Sequence, residues 1–150
     1  MKDEILELSC NLDDMTPEDV GFAMEHLLEA GALDVYTLPI GMKKNRPGVM
    51  LCVLCRPEDR QRMAEEIFQY TTTLGIRETE HSRYVLRRES RTRQTPFGPV
   101  REKLAEGYGV SRWKPEYEDI RRIALEQGLS PRQVREMIYG KEEHNDRLPL

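Results

Sequence analysis

The sequence is short of cysteine and of clustered histidine, and these shortages exclude several kinds of site. Its 150 residues include three cysteines, an odd number, so a framework of disulfide bonds is not expected. Cys52 and Cys55 form a C-x-x-C motif inside an apolar stretch that predicts a strand, where residues three apart face opposite sides. We therefore expect buried thiols that do not converge on a metal. The histidines, His26, His81 and His144, have no metal-ligand spacing.

The chain also lacks a long apolar run, a signal-peptide pattern and an excess of positive charge. No segment approaches the length that spans a bilayer, and the N-terminus carries no apolar secretory segment. With 23 lysines and arginines against 27 acidic residues, the net charge is −4. We therefore expect a cytoplasmic protein that binds neither membrane nor nucleic acid, in which any anion site is a local cluster of basic residues.

Hydrophobic periodicity predicts the order β-α-β-β-α-β for the front of the chain. Residues 5–12 alternate as a strand, and Thr16 with Pro17 begins a helix that ends at Gly31. Further strands are predicted at 33–40, 49–55 and 75–94, and a second helix at 57–73. This order is typical of an α+β, ferredoxin-like domain, which we place at residues 4–94. Its third strand is apolar on both faces, so we expect cover from the C-terminal third or from a homo-oligomer, whether dimer, trimer or hexamer.

The last third is predicted to extend this sheet by a β-hairpin and to end in a helical pair. A turn at 95–99 leads to a short strand at 100–106, and helices follow at 115–127 and 131–139. Residues 95–140 are thus interpreted as an extension of the same domain. Trp113 is expected to anchor the helices by packing. Residues 141–150 are polar and predict a disordered tail.

Three cations lie in the loop between the second and third predicted strands. Lys43, Lys44 and Arg46 are framed by Gly41 and by the Pro47-Gly48 pair. Lysines as point charges and arginine as a fork suit a polyphosphate. A solvated loop that blocks pairing at the sheet edge explains the same residues.

Two pairs of acids are candidate ligands for Mg²⁺ or Mn²⁺. Asp13 and Asp14 follow the first strand close to Asn11, and hard oxygen ligands suit these metals. Glu116 and Asp119 lie in the first turn of a predicted helix, where a metal or ribose contact is possible. Acids that stabilise the positive end of a helix are the alternative for both pairs.

The arginine-rich segment 83–93 contains one residue that we expect on an inner face. Arg88 is in phase with Tyr84 and Leu86, and a buried cation needs a partner such as a ligand phosphate. Arg101 and Lys103, on the next strand, point to a common side that we expect beside Arg88. The other arginines of the segment are interpreted as solvated surface.

Residues 123–138 resemble a helix-turn-helix. They contain a small residue, a glycine turn and a valine at plausible spacing, which would suit a ligand-sensing transcription regulator. The second helix offers only Arg132 and Arg135, beside Glu136, as candidate DNA contacts. A simple helix hairpin explains the segment more economically.

Several motifs occur together and resemble one family. They are Cys-Asn-Leu-Asp-Asp-Met-Thr-Pro-Glu at 10–18, Gly-Ala-Leu-Asp-Val at 31–35, Pro-Ile-Gly-Met-Lys-Lys-Asn-Arg-Pro-Gly at 39–48, Thr-Pro-Phe-Gly-Pro-Val-Arg-Glu-Lys at 95–103 and Lys-Pro-Glu-Tyr-Glu-Asp at 114–119. The chain resembles the C-terminal half of the nickel-insertion proteins, the CTP-dependent cyclometallases that make the nickel-pincer nucleotide cofactor of lactate racemase. The resemblance spans roughly residues 4 to 138. Arg87 and Glu102 depart from it, where a proline and an apolar residue are expected.

The resemblance implies that CTP and a divalent metal, Mn²⁺ or Mg²⁺, bind here and that CTP is cleaved to CMP and pyrophosphate. Ni²⁺ is inserted into a pyridinium bis-thiocarboxylate mononucleotide, and the family's N-terminal half is the implied partner. By position, Lys43, Lys44, Arg46, Arg88, Arg101 and Lys103 are our candidate triphosphate ligands. Asp13, Asp14, Glu116 and Asp119 are our candidate metal ligands. The catalytic residues stay unassigned.

Overall fold

Four strands of the computed structural model, which describes residues 1–140, form one antiparallel sheet. They are β1 (Lys2–Leu12), β2 (Asp34–Met42), β3 (Arg46–Cys55) and β4 (Arg77–Tyr84), in the order β2-β3-β1-β4. Helix α1 (Pro17–Glu29) connects β1 to β2, and α2 (Arg60–Tyr70) connects β3 to β4. This is the ferredoxin-like arrangement that periodicity predicts, and the α+β class is confirmed.

Alternating apolar residues of the strands build the core of this sheet against the two helices. On β1 the buried side chains are Leu6, Leu8, Cys10 and Leu12, and on β3 they are Leu51, Val53 and Cys55. Helix α1 begins at its predicted cap, where the Thr16 hydroxyl accepts the Asp19 amide at 3.2 Å. Its apolar stripe of Val20, Ala23 and Leu27 is buried.

The three cysteines are free and buried, as the sequence predicts. Cys55 belongs to the core between sheet and helices, whereas Cys52 lies three residues away and points to the opposite face. There it lies beside Tyr36, whose hydroxyl donates to the Glu7 carboxylate at 3.3 Å. The C-x-x-C motif therefore does not bring its sulfur atoms together.

A second antiparallel sheet follows, and it corrects two expectations. Its strands are β5 (Arg87–Thr95), β6 (Gly98–Gly107) and β7 (Val110–Pro115), in sequence order. The single strand predicted at 75–94 is wrong, because β4 ends at Tyr84 and β5 belongs to the second sheet. The hairpin of β5 and β6 is present, but it does not extend the first sheet, and β7 was not predicted.

Two helices pack on the second sheet and form its core. They are α3 (Tyr117–Gln127), which ends at the left-handed Gly128, and α4 (Pro131–Tyr139). The buried side chains are Val100, Ile120, Ile123, Ala124, Val134 and Tyr139. Trp113 packs against this cluster with its ring centroid 4.7 Å from that of Tyr139, so the predicted packing role is confirmed. The segment that resembles a helix-turn-helix is thus a helix hairpin that buries apolar side chains.

The chain divides into two compact units after Tyr84, ten residues before the end of the ferredoxin-like region expected from the sequence. The first unit is Lys2–Tyr84, and the second is Met1 together with the residues from Val85 onward. The tail expected at 141–150 and His144 lie outside the described residues. Across residues 1–140 no helix has the length and apolar character needed to cross a membrane.

Candidate functional site

The basic loop of the first unit has an unusual backbone. Lys43–Asn45 form a tight turn between β2 and β3, in which Lys44 and Asn45 both have left-handed φ angles, 63° and 58°. Asparagine tolerates this conformation, but lysine adopts it at a cost because its Cβ crowds the following carbonyl. Such strain persists where the surrounding structure imposes it, which is common at ligand sites. The loop therefore presents its cations, which include Arg46, from a strained and exposed turn.

The basic loop reaches Asp13 because β3 approaches β1 closely at Gly48. A Cβ at residue 48 would lie 2.6 Å from the carbonyl oxygen of Leu12, so only glycine fits there. This contact places the start of β3 beside the residues that follow β1. The Arg46 guanidinium lies 3.3 Å from the Asp13 carboxylate. The predicted neighbourhood of the basic loop and this acid is therefore found within one unit.

The neighbours of Asp13 are also held by hydrogen bonds. The Thr72 hydroxyl donates to the Asp14 carboxylate, and Arg77 donates to the Asn11 side-chain oxygen at 2.8 Å. Asn11 is thus bound by an arginine that the sequence analysis did not connect with it. The side-chain oxygens of Asp13 and Asp14 remain the candidate metal ligands in this unit.

Strand register places the predicted cations of the second unit on one face of its sheet. Arg88 pairs with Ala105, and Ala105 lies two residues from Lys103 on the same face. Arg101 continues that face by alternation, so the expected proximity is present. The expectation that Arg88 lies on an inner face is wrong, because its side chain is exposed. That expectation assumed one continuous strand through Tyr84 and Arg88. Because β4 ends at Tyr84 and β5 begins at Arg87, the alternation of one strand does not continue into the other.

Two further cations join this face, and the sequence analysis missed both. Arg112 pairs with Ala105 and Lys114 pairs with Lys103, so both extend the basic face from β7. Their alternation around Trp113, which is partly buried against the core, was the signal in the sequence. That signal was lost because β7 was not recognised as a strand.

In this unit the two acids predicted as metal ligands form ion pairs with two of the cations predicted to bind the triphosphate. The Asp119 carboxylate accepts from the Arg101 side chain at 2.9 and 3.1 Å and from its backbone amide at 2.8 Å. Lys103 lies 2.8 Å from Glu116. The hydrogen bonds from the Arg101 side chain hold the pKa of Asp119 below its usual value. Asp119 therefore fixes the start of α3 to β6.

The opposite face of the second sheet buries a carboxylate. Glu102 is fully buried, and Arg91 and Arg93 bind it, the latter at 2.6 Å. Burial alone would raise the pKa of Glu102, but the two guanidinium groups outweigh burial and lower it. Glu102, where the resemblance predicts an apolar residue, is thus paired with two arginines that the sequence analysis interprets as solvated surface.

The described residues of neither unit form a complete metal-binding site. Among residues 1–140, no group of three or more His, Cys, Asp or Glu side chains could hold an ion. Burial also raises the pKa of all three cysteine thiols, which disfavours the thiolate form that binds metals. Mg²⁺ is commonly bound by one or two carboxylates together with substrate phosphates. Asp13 and Asp14 are two carboxylates of the kind that such a site uses together with substrate phosphates.

A cavity of about 280 Å³ opens beside the basic loop, between α1 and the β2–β3 hairpin. Asp13 and Thr37 are polar residues in its lining. Pro47 and Gly48, which follow the basic loop directly, form one side of it, and Gly21 of α1 lines another. Its apolar lining residues include Leu12, Met15, Val20, Met24 and Val49.

Comparison with known proteins identifies the family. The model of the nickel insertion protein family matches residues 1–135. The chain belongs to this family. A pyridinium-3,5-bisthiocarboxylic acid mononucleotide nickel insertion protein of Acetivibrio thermocellus is 47% identical over 124 residues, which are 83% of this chain and 30% of that family member. Another, of Alkaliphilus metalliredigens, is 49% identical over 127 residues, or 85% of this chain and 30% of that one. The chain thus spans less than a third of these two family members.

Two solved structures share the fold over most of the chain. One is LarC2, the C-terminal domain of a cyclometallase involved in the synthesis of the NPN cofactor of lactate racemase, in its apo form. It is 38% identical, with a TM-score of 0.81, and the match covers 89% of this chain and 93% of that one. A Methanopyrus kandleri protein has 27% identity and a TM-score of 0.68, with 89% and 85% covered. The match thus covers almost the whole LarC2 chain.

Proposed function

We propose that this chain is the CTP- and metal-binding domain of a cyclometallase. The complete enzyme would insert nickel into pyridinium-3,5-bisthiocarboxylic acid mononucleotide, with CTP cleaved to CMP and pyrophosphate. The family supports the nickel chemistry, and the resemblance of the motifs implies CTP. The observation that carries the proposal is the strained loop of Lys43–Asn45 with Arg46 beside Asp13.

The ion pairs of the candidate residues support binding of a metal–triphosphate complex. Arg46 pairs with Asp13, Arg101 with Asp119 and Lys103 with Glu116. The single contact of the exposed Arg46 with Asp13 contributes only about 0–1 kcal/mol, so a ligand can replace that pair at small cost. A metal–triphosphate complex contains both negative and positive charge. Its phosphate oxygens can bind the cation of each pair, and its metal can bind the carboxylate.

Asp13 and Asp14 would hold the metal, with triphosphate oxygens completing its coordination. When bound, Mn²⁺ or Mg²⁺ would neutralise the phosphate oxygens and so make the α-phosphorus easier to attack. Lys43, Lys44 and Arg46 would hold and orient the triphosphate through charge-assisted hydrogen bonds. Arg88, Arg101 and Lys103 are the corresponding candidates on the second unit.

Calorimetric titration with CTP, ATP, GTP and UTP, with and without Mn²⁺, tests this function. We expect CTP to bind most tightly and Mn²⁺ to strengthen its binding. Lys43→Ala and Arg46→Ala each remove a charge-assisted bond of about 1.5–3 kcal/mol, so each should weaken CTP binding about tenfold or more.

Arg56→Ala is the matched control, because Arg56 follows the far end of β3 and is also exposed. A ten-residue strand separates it from the loop by roughly 30 Å, so its removal should leave CTP affinity unchanged. Equal CTP affinity in all three variants would remove the loop from the site. Tight DNA binding with a steep dependence on salt would favour the transcription regulator instead.

A further inference from the structure

The face of the second sheet opposite α3 and α4 carries five cations. Val100 and Trp113, which pack with these helices, belong to the other face. Strand alternation and register place on the face opposite the helices Arg88 of β5, Arg101 and Lys103 of β6, and Arg112 and Lys114 of β7. No acidic residue of the three strands shares this face, which we call the basic sheet face.

Acids at the start of α3 compensate two of these cations but not the other three. Asp119 and Glu116 each form an ion pair with one of the two cations of β6. Arg88, Arg112 and Lys114 are exposed, and none of them forms an ion pair with a residue that the structure describes. Three uncompensated positive charges therefore lie on one sheet face of a chain whose net charge is −4.

Strand register sets two lysines directly against each other. Lys103 of β6 lies opposite Lys114 of β7. Like charges in directly opposite positions destabilise a sheet, and Glu116, which lies 2.8 Å from Lys103, compensates only one of the two. An anionic ligand beside Lys114 would remove the remaining repulsion.

Two arginines flank a shallow floor in the middle of the basic sheet face. Arg88 of β5 and Arg112 of β7 both pair with Ala105. Because neighbouring strands lie about 4.8 Å apart, the two arginine backbones are roughly 10 Å apart, with only the methyl group of Ala105 between their side chains. Each guanidinium can bind an acid group through two parallel hydrogen bonds. This arrangement suits a planar ring that carries two acid groups.

The side chains of this face favour a small anion over a nucleic acid. Proteins that bind single strands combine cations with aromatic side chains on which the bases stack. No strand residue of the basic sheet face is aromatic, because Trp113 points to the other side. The net charge of −4 also opposes the binding of an extended polyanion.

We propose that the basic sheet face binds the acceptor nucleotide, a mononucleotide whose pyridinium ring carries two acid groups. The inference rests on the proposed function and adds to it a second anion site, on the unit that does not contain the basic loop. Arg88 and Arg112 bind the two thiocarboxylates of the ring, which lies over Ala105. Lys114 binds the ribose phosphate as a point charge. Arg88 is then a ligand of the acceptor rather than of the triphosphate.

Calorimetry with three probes tests this site. They are the bis-carboxylic analogue of the acceptor, in which oxygen replaces both sulfur atoms, nicotinic acid mononucleotide, which has one ring carboxylate, and inorganic tripolyphosphate. We expect the chain to bind the analogue about tenfold more tightly than nicotinic acid mononucleotide, because only the analogue engages both arginines. Arg88→Ala and Arg112→Ala should each weaken binding of the analogue about tenfold and abolish that preference.

Arg121→Ala is the matched control, because Arg121 is exposed on α3, on the other side of the sheet, and its loss changes the net charge equally. It should leave the affinity for the analogue unchanged. Lys114→Gln should weaken the analogue yet raise the thermal midpoint measured without any probe, because it removes one of two facing lysines. A lower midpoint would contradict the repulsion that indicates an anion here. Thermal melting also establishes that each variant is folded.

The outcomes separate this inference from the proposed function. Unchanged binding of the analogue in Arg112→Ala, or its equal affinity with nicotinic acid mononucleotide in the wild type, overturns the acceptor site even if CTP binds. Equal weakening of tripolyphosphate and the analogue in Arg112→Ala also overturns it, because the face would then be a general phosphate site. Binding of a single-stranded oligonucleotide that Arg112→Ala abolishes would assign the face to nucleic acid instead. If the chain binds the analogue but not CTP, the proposed function fails and the anion site remains.

Discussion

Lys44 has a backbone conformation that is unfavourable for the stability of the fold. Its φ of 63° is unfavourable for a side chain with a Cβ, by roughly 1–2 kcal/mol, whereas asparagine is enriched in that region. Lys44→Asn should therefore raise the thermal midpoint of unfolding by about 2–4 °C. The same change removes a cation from the loop and should weaken CTP binding. Calorimetry and thermal denaturation of one sample measure both effects.

The reverse substitution at the next residue is the control for this strain. Asn45 has a φ of 58°, so Asn45→Lys should lower the thermal midpoint while adding a cation to the loop. A lower midpoint in Lys44→Asn, or an unchanged one in Asn45→Lys, would contradict the assignment of strain to this turn.

The loop cations and the neighbouring acids could be predicted from the sequence, but their partners could not. Residue types and spacing marked Arg46, Asp13 and Asp119 as charged groups at element ends. Their pairing depends on which strands are neighbours and in what register, and sequence spacing does not encode register. Glu102 is the extreme case, because the hairpin of β5 and β6 was predicted but the face of it that the helices cover was not.

Strong hydrophobic periodicity correctly predicted the helices and strands of the first unit. In the second unit the periodicity is weak, and the strands predicted from it were partly wrong. The alternation of β1 and the capped stripe of α1 mark their structure over many residues. Segment 83–93 contains no glycine or proline, so nothing local signals that β4 ends at Tyr84 and a new sheet begins. In strand β7 the alternation covers only Arg112, Trp113 and Lys114, because Val110 lies on the same face as the two cations.

The junction of α3 with β6 should make the second unit sensitive to acid. The hydrogen bonds from Arg101 lower the pKa of Asp119 in the folded chain, so this contribution to stability is complete above the unfolded pKa of about 3.9. It is lost as the pH falls through the lower folded value. Fluorescence of Trp113, the one tryptophan, reports unfolding in the core of this unit. Denaturant titrations between pH 2 and 7 measure the dependence.

Asp119→Asn should lower stability at neutral pH and flatten its dependence on pH in this acid range. Glu118→Gln is the matched control, because Glu118 is exposed in the same helical turn. An Asp119→Asn variant with the wild-type pH profile would show that the clamp between Asp119 and Arg101 does not stabilise the unit.

For the whole molecule, the proposed function combines nucleotide binding with nickel insertion, and the two require different chemical groups. Triphosphate affinity comes from preformed charge, and the basic loop and the basic sheet face supply cations in the two units. Nickel insertion needs softer ligands that can carry the metal to the acceptor nucleotide. Within the described residues no group of three His, Cys, Asp or Glu side chains could hold such an ion, and burial raises the pKa of each thiol.

We therefore expect this chain to bind CTP without completing nickel insertion by itself. The chain would be incubated with CTP, Mn²⁺, nickel and the bis-thiocarboxylate mononucleotide, and the product assayed by its ability to activate an apo lactate racemase. CTP binding is measured on the same preparation, so that inactivity is not mistaken for a failure to fold. The positive control is the relative from Acetivibrio thermocellus. The region that matches this chain makes up 30% of that relative. Because the softer ligands would lie in the other parts of such a protein, adding those parts should restore activity. Activation of the racemase by this chain alone would place the nickel site within it and contradict the separation of binding from insertion.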